Sequence, residues 1–132
     1  EYYLEYPLFP LEKTVAFLNL DSVGCGDKLS VRAAKNFPAL WGFIEKANKN
    51  YIHRIINPEY FANIARPRLD AAHFLWKGVP SLSFSSYGAT SYYHISKDKV
   101  ETITPEILED LAQLLFLALL DMTQQDSLYF RK

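Results

Sequence analysis

The hydrophobic pattern changes period several times along this chain, and each change marks an element. Residues 14–20 are almost continuously apolar with β-branched members, the pattern of a central strand buried on both faces. Gly24 and Gly26 break that run. Residues 79–85 form a second run of the same kind, directly after Gly78, and residues 28–33 read as a short further strand. Helical spacing begins after Asn36, a suitable N-cap, with Pro38 in the first turn and Leu40, Phe43, Ile44 and Ala47 on one side. That helix fades by Asn50. Residues 51–68 hold Pro58 and Pro67 and little periodicity, so they read as a long loop with one short helical turn at most.

Asp70 is placed to cap a short helix over residues 71–77, closed by Gly78. Residues 86–99 are polar and aromatic, which predicts a loop. Thr104 caps the last helix and Pro105 takes its first position. Ile107, Leu108, Leu111, Leu114, Leu115, Ala118 and Leu119 follow at helical spacing, and Leu117 and Leu120 widen the apolar surface. A helix apolar on more than one side is covered by two layers or by a partner. Residues 1–10, with Pro7 and Pro10, read as the end of a helix and a turn.

The order strand, helix, helix, strand, helix predicts α/β layering. Two strands are well marked, and two parallel strands do not make a stable sheet alone. The chain therefore reads as part of a larger sheet, with no internal repeat, low-complexity segment or domain boundary.

Composition narrows the class. The 132 residues suit one domain, and an apolar content of 49% with nine Tyr, nine Phe and two Trp excludes a disordered chain. The 14 basic and 15 acidic side chains nearly cancel, which argues against a nucleic-acid module. The nearest basic cluster, Arg66-Pro67-Arg68, is too short to change that. A single cysteine, Cys25, excludes an internal disulfide. The longest apolar stretch, residues 114–120, is far shorter than the roughly 20 residues a membrane span requires. No signal peptide is visible. The chain opens on Glu1 rather than methionine, and the expectation is a natural N-terminus removed by processing, design or proteolysis, with any targeting signal.

The candidate chemistry lies where strands give way to loops. Asp21 directly follows an apolar strand, so its carboxylate stays hydrated while its backbone is rigid, which suits a metal ligand. The same position suits an Asx-turn or a cap before Gly24. His94 sits in the loop with Ser91, Tyr92, Ser96, Lys97 and Asp98 near it. Neutral imidazole is a good zinc ligand, and a nearby carboxylate fixes its tautomer; a solvated loop histidine is the alternative. No local spacing joins Asp21 to His94, and two ligands fall short of the three of a catalytic zinc. His53 reads as a surface residue, and His73, beside Phe74 and Trp76, as a packing or supporting group. No G-x-S-x-G elbow, P-loop or dinucleotide fingerprint is present. Cys25 reads as a spectator thiol between two glycines, with a Cys25/His94 pairing as the weaker option.

Several segments follow one another in an informative order. Glu1-Tyr2-Tyr3 leads through Pro7-Leu8-Phe9-Pro10-Leu11 to residues 15–24. Val79-Pro80-Ser81-Leu82 follows Gly78 as a glycine–hydrophobic–proline strand entry. Tyr93-His94-Ile95-Ser96-Lys97-Asp98 places an aspartate four residues after a histidine, and Thr104-Pro105-Glu106 opens the final helix. In this order the chain resembles the clan MH zinc exopeptidases, the group that includes the bacterial leucyl aminopeptidases.

The resemblance implies a three-layer α/β/α fold with a mixed, mainly parallel sheet, of which residues 1–132 are the C-terminal portion of a single zinc-peptidase domain. It implies release of N-terminal residues from peptides by a water activated between two zinc ions. Asp21 would bind one zinc and His94 the other, with Asp98 orienting His94. Asp70, Tyr87 and Tyr92 would contact substrate, either tyrosine by a hydrogen bond to the tetrahedral intermediate. The family's first histidine, bridging aspartate and paired glutamates, one of them the general base, are expected before Glu1; ahead of Asp21 the chain has only Glu1, Glu5 and Glu12.

The chain alone is therefore expected to contain no catalytic base, to hold zinc partly or not at all, and to show no peptidase activity. It is expected to need its missing N-terminal half, or to self-associate through an unpaired strand edge and exposed apolar helix faces. The resemblance also points to an exported bacterial protein. Two departures bear on specificity: Leu69-Asp70-Ala71 replaces the family's Ser-Asp-His, and Ser22 replaces the more usual methionine after the ligand aspartate. A non-catalytic binding or structural module on the same fold, as occurs in receptor ectodomains, is the second reading.

Overall fold

Four strands form one sheet in the computed structural model, which describes residues 2–61 and 69–131. Among these residues the elements run α1 (Tyr2–Glu5), β1 (Phe17–Leu20), β2 (Lys28–Arg32), α2 (Pro38–Ala47), β3 (Ile56–Pro58), α3 (Asp70–Trp76), β4 (Ser81–Tyr87) and α4 (Pro105–Thr123). The spatial order is β1-β4-β2-β3. β1 runs parallel to β4 and β2 parallel to β3, while the central pair β2 and β4 is antiparallel. The sheet is thus mixed and mainly parallel.

The two well-marked strands are β1 and β4, and the shorter run is β2. β1 begins three residues later than the hydrophobic pattern implies. A 3-10 turn at Leu11–Lys13 ends with Thr14 N donating to the Leu11 carbonyl at 3.0 Å, and that turn holds the approach to the strand out of the ladder. β3 was not expected, because it lies in the stretch read as a loop. Three residues ending in proline carry almost no periodic signal, and Pro58 is tolerated at an outer strand where no partner claims its missing N–H. Leu29 N donates to the Ile55 carbonyl at 3.0 Å and Glu59 N to the Val31 carbonyl at 2.9 Å, which fixes β3 against β2. Residues 62–68 of that loop lie outside the described residues.

The helix ends shift by about one position. Phe37 rather than Asn36 is the N-cap of α2, and the Asn36 Oδ1 instead accepts the Phe61 N–H at 2.8 Å. Asp70 is the first residue of α3, with Leu69 at the cap. Gly78, at φ 74°, closes α3 as expected: its N–H reaches the Leu75 carbonyl and the Val79 N–H reaches the Phe74 carbonyl, a Schellman arrangement. Thr104 precedes Pro105 at the start of α4, but its side chain makes no capping bond.

The two faces of the sheet differ sharply. Leu29, Val31, Leu82 and Phe84 point to one face and are fully buried under α2 and α4, against Leu40, Ile44, Ile107, Leu111 and Leu114. The register places Asn19 opposite Ser83, Ser83 opposite Arg32, and Ser30 opposite both Ser85 and Asn57, so the other face is largely polar. α3 covers only one end of it, where the Phe17 and Phe74 rings stack at 3.8 Å and Ser81 is buried. Among the described residues, helix, sheet and helix form three layers, with one polar face open toward the C-terminal ends of β1 and β4. The tail closes the other end. Phe130 is buried edge-to-face with Phe43, and Arg131 donates to the carbonyls of Gly78, Leu11 and Thr14. No helix among the described residues is long and apolar enough to cross a membrane.

Candidate functional site

Asp21 is the first residue beyond β1, and its N–H still bonds the Phe84 carbonyl of β4 at 3.1 Å. The sheet therefore fixes its backbone while its side chain is exposed. Ser22 adopts the left-handed region at φ 57° and donates its hydroxyl to Asp21 Oδ1 at 3.3 Å. The loop that follows is moored to Ser86: Ser86 N and Oγ both donate to the Ser22 carbonyl, and Cys25 N donates to Ser86 Oγ at 3.1 Å. On its far side the loop is tied to the approach to α4. Thr104 N donates to the Gly24 carbonyl at 2.8 Å and the Cys25 thiol to the Thr102 carbonyl at 3.2 Å. Cys25 is thus half-buried and hydrogen-bonded.

Two glycines permit this docking. Gly26 has φ 91°, and a Cβ there would collide with the Tyr87 carbonyl. Gly88 has φ 106°, and a Cβ there would collide with the Asp27 side chain. The β1–β2 loop and the end of β4 lie too close for any larger residue.

Two adjoining cavities open here. One, of about 360 Å³, is lined by Asp21, Arg32, Ser83, Ser85 and Tyr93 among others. The second, of about 470 Å³, is lined by Cys25, Tyr87, Tyr92, Asp98 and Ile103 among others. Ser22, Ser91 and Tyr93 line both. His94 is exposed, holds φ 60°, and stacks its ring on Tyr93 at 3.8 Å with 16° between planes. Tyr93 is therefore the side chain that links the Asp21 cavity to His94. Sequence reasoning took Tyr93 only as part of the histidine segment and gave it no role of its own. It also passed over Arg32, Ser83 and Ser85, whose signal is the polar half of the alternation in β2 and β4.

The other expected residues fall in three places. Tyr87 and Tyr92 line the larger cavity together with Asp98. Among the described residues no side-chain hydrogen bond joins Asp98 to His94. Asp70 stands exposed at the start of α3, next to Leu69, which lines the Asp21 cavity. His73 meets Trp76 edge-on at 5.3 Å, and His53 is exposed at φ 60°.

The zinc expectation meets a clear limit. Among the described residues no group of three or more His, Cys, Asp or Glu side chains is placed to hold a metal ion. A catalytic zinc takes three protein ligands, so the described residues do not by themselves fit one.

The fold is that of an α/β protein whose cavity-lining loops gather beyond β1 and β4. The chain belongs to peptidase family M28, whose model matches residues 1–119. No curated protein matches it. Among solved structures it resembles an aminopeptidase from Aneurinibacillus sp. strain AM-1, at a TM-score of 0.74 and 18% identity over 99% of this chain and 31% of that one. It also resembles a zinc aminopeptidase from Bacillus subtilis, at 0.73 and 18% over 97% and 34%, and the LapA aminopeptidase of Legionella pneumophila, at 0.72 and 15% over 96% and 34%. The chain spans about a third of the length of each. At these identities the likeness establishes the fold.

Proposed function

We propose that this chain is the C-terminal part of a zinc-dependent aminopeptidase that removes N-terminal residues from peptides. The observation that carries the reading is the family M28 match over residues 1–119, with Asp21 held at the end of β1 beside two adjoining cavities. In this reading Asp21 and His94 each give one ligand to one of two zinc ions, and the remaining ligands and the general base come from residues outside this chain. Bound zinc supplies Lewis-acid polarisation of the scissile carbonyl and acidifies a bound water.

The chain's own residues hold and shape the site. The Ser22 hydroxyl restrains the Asp21 carboxylate, and the Tyr93 ring fixes the plane of His94. The cavity walled by Tyr87, Tyr92 and Ile103 would receive the leading side chain of the peptide, and Asp98 in the same wall would support His94. Asp70 contributes at the rim through its neighbour Leu69.

The test uses the full-length protein that carries this segment. Asp21→Asn and His94→Asn should each lower zinc content and cut aminoacyl-anilide turnover by more than about 100-fold, beyond the usual cost of losing a supporting group. Full zinc occupancy in both variants would overturn the reading. The 132-residue chain alone should show no turnover. The second reading is a non-catalytic binding or structural module on the same fold. A full-length protein that folds without zinc and cleaves nothing would select it.

A further inference from the structure

We propose that Arg32 makes the cavity beside Asp21 a binding site for a carboxylate, so that the preferred peptides are those presenting a carboxylate there. The peptide character of the ligand rests on the aminopeptidase reading; the anion preference rests on the cavity itself.

Sheets covered on both faces are apolar on both. This one is not. On its open face Arg32 pairs with Ser83 in the register and Ser30 with Ser85, and Arg32, Ser83 and Ser85 all line the 360 Å³ cavity with Ser91 and Tyr93. Hydroxyls that line a cavity around a guanidinium are the partners of an anion, and arginine takes a carboxylate with two parallel hydrogen bonds.

The guanidinium has a charge partner, but its hydrogen-bonding capacity is not spent on it. Its charged neighbour is Glu59, with Arg32 Nε 3.9 Å from Glu59 Oε2, too long for a hydrogen bond. Two neutral donors, Ser30 Oγ at 2.7 Å and Asn57 Nδ2 at 3.0 Å, hold the other Glu59 oxygen, Oε1. Among the described residues the Arg32 side chain donates no hydrogen bond, and it is 47% exposed.

The cavity is also polarised. Asp21 extends β1 on one side of β4, and Arg32 lies on β2 at the other. Two strand spacings separate those strands, roughly 9–10 Å. That span is about three extended residues or slightly less, and Asp21 and Arg32 both line the cavity between them. A peptide whose reacting end lies at Asp21 would bring to Arg32 either the side chain of its next residue or, if short, its own C-terminus. An acidic side chain and a free C-terminus offer the same group.

Three probes separate these sources on the full-length protein: Leu-Gly, Leu-Gly-amide and Leu-Glu-amide. Binding is measured by calorimetry, or as KM where a probe is cleaved. At least one carboxylate probe should bind about tenfold more tightly than Leu-Gly-amide. Tighter Leu-Gly identifies the C-terminus as the source, and tighter Leu-Glu-amide the side chain. Arg32→Gln should abolish the difference and Arg32→Lys should retain part of it. Glu59→Gln, which removes the ion pair but keeps the guanidinium, should leave it intact. Equal affinity for all three probes, or a preference that survives Arg32→Gln, would overturn the proposal. Cleavage without carboxylate preference overturns this inference alone. Carboxylate-dependent binding without cleavage overturns the peptidase reading and leaves Arg32 in its role. Neither binding nor cleavage overturns both.

Discussion

Asn19 donates a hydrogen bond from Nδ2 to Ser83 Oγ at 3.0 Å, and the same two residues face each other in the β1–β4 register. Both are buried, at 8% and 4% exposure. A polar pair inside a parallel ladder stabilises only while both members are present, since one left alone bears the cost of a lost partner. Asn19→Leu should destabilise the protein by about 1–3 kcal/mol in urea denaturation. Adding Ser83→Ala should recover part of that loss, and strictly additive costs would show that the two do not interact.

Gly26 and Gly24 offer a matched comparison two residues apart. Gly26→Ala forces a left-handed alanine whose Cβ meets the Tyr87 carbonyl. The expected cost is about 2–4 kcal/mol, at the upper end for a single substitution. A Cβ on Gly24 meets only the Ile103 side chain at 3.7 Å, ordinary contact, so Gly24→Ala should change stability by less than about 1 kcal/mol. Thermal melts of the two variants check the contrast.

Arg131 closes the end of the domain opposite the cavities, donating to three backbone carbonyls around the entries of β1 and β4. Charged hydrogen bonds of this kind are worth about 1.5–3 kcal/mol when buried, and these are part-exposed, so Arg131→Met should cost about 1–2 kcal/mol. Hydrogen exchange should quicken first at Phe17, whose N–H bonds the Pro80 carbonyl. Unchanged exchange at Phe17 would deny the tail this role.

Under the proposed function, His94 separates metal binding from stability. Its side chain is exposed, and asparagine tolerates φ 60° better than most residues. His94→Asn should therefore leave the melting midpoint of the metal-free protein nearly unchanged while weakening zinc binding by the full-length protein. A large fall in stability would mean that the Tyr93–His94 stack serves the fold.

The parts legible in the sequence were those with a strong local signal. The apolar runs gave β1 and β4, and the Gly78 stop and the Thr104-Pro105 start bounded α3 and α4 closely. β3 was illegible because it borrows its order from β2 and offers three residues and a proline of its own. Asp21 was visible because a carboxylate at the end of an apolar strand is unusual. Arg32 and Tyr93 were not, because their relation to Asp21 exists only once β4 lies between β1 and β2 and the 86–99 loop folds over them.

The sheet has two outer strands of unequal character. β3 ends in Pro58 and offers three residues, whereas β1 presents Phe17–Leu20 without a charge or a proline. Further strands gain more hydrogen bonds beside β1, and β1 is the strand that delivers Asp21. Under the proposed function, the segment that docks there also carries the rest of the donor set. Metal uptake then becomes a reporter of assembly: zinc would enter only as the neighbouring strand arrives, so that incomplete molecules stay catalytically silent.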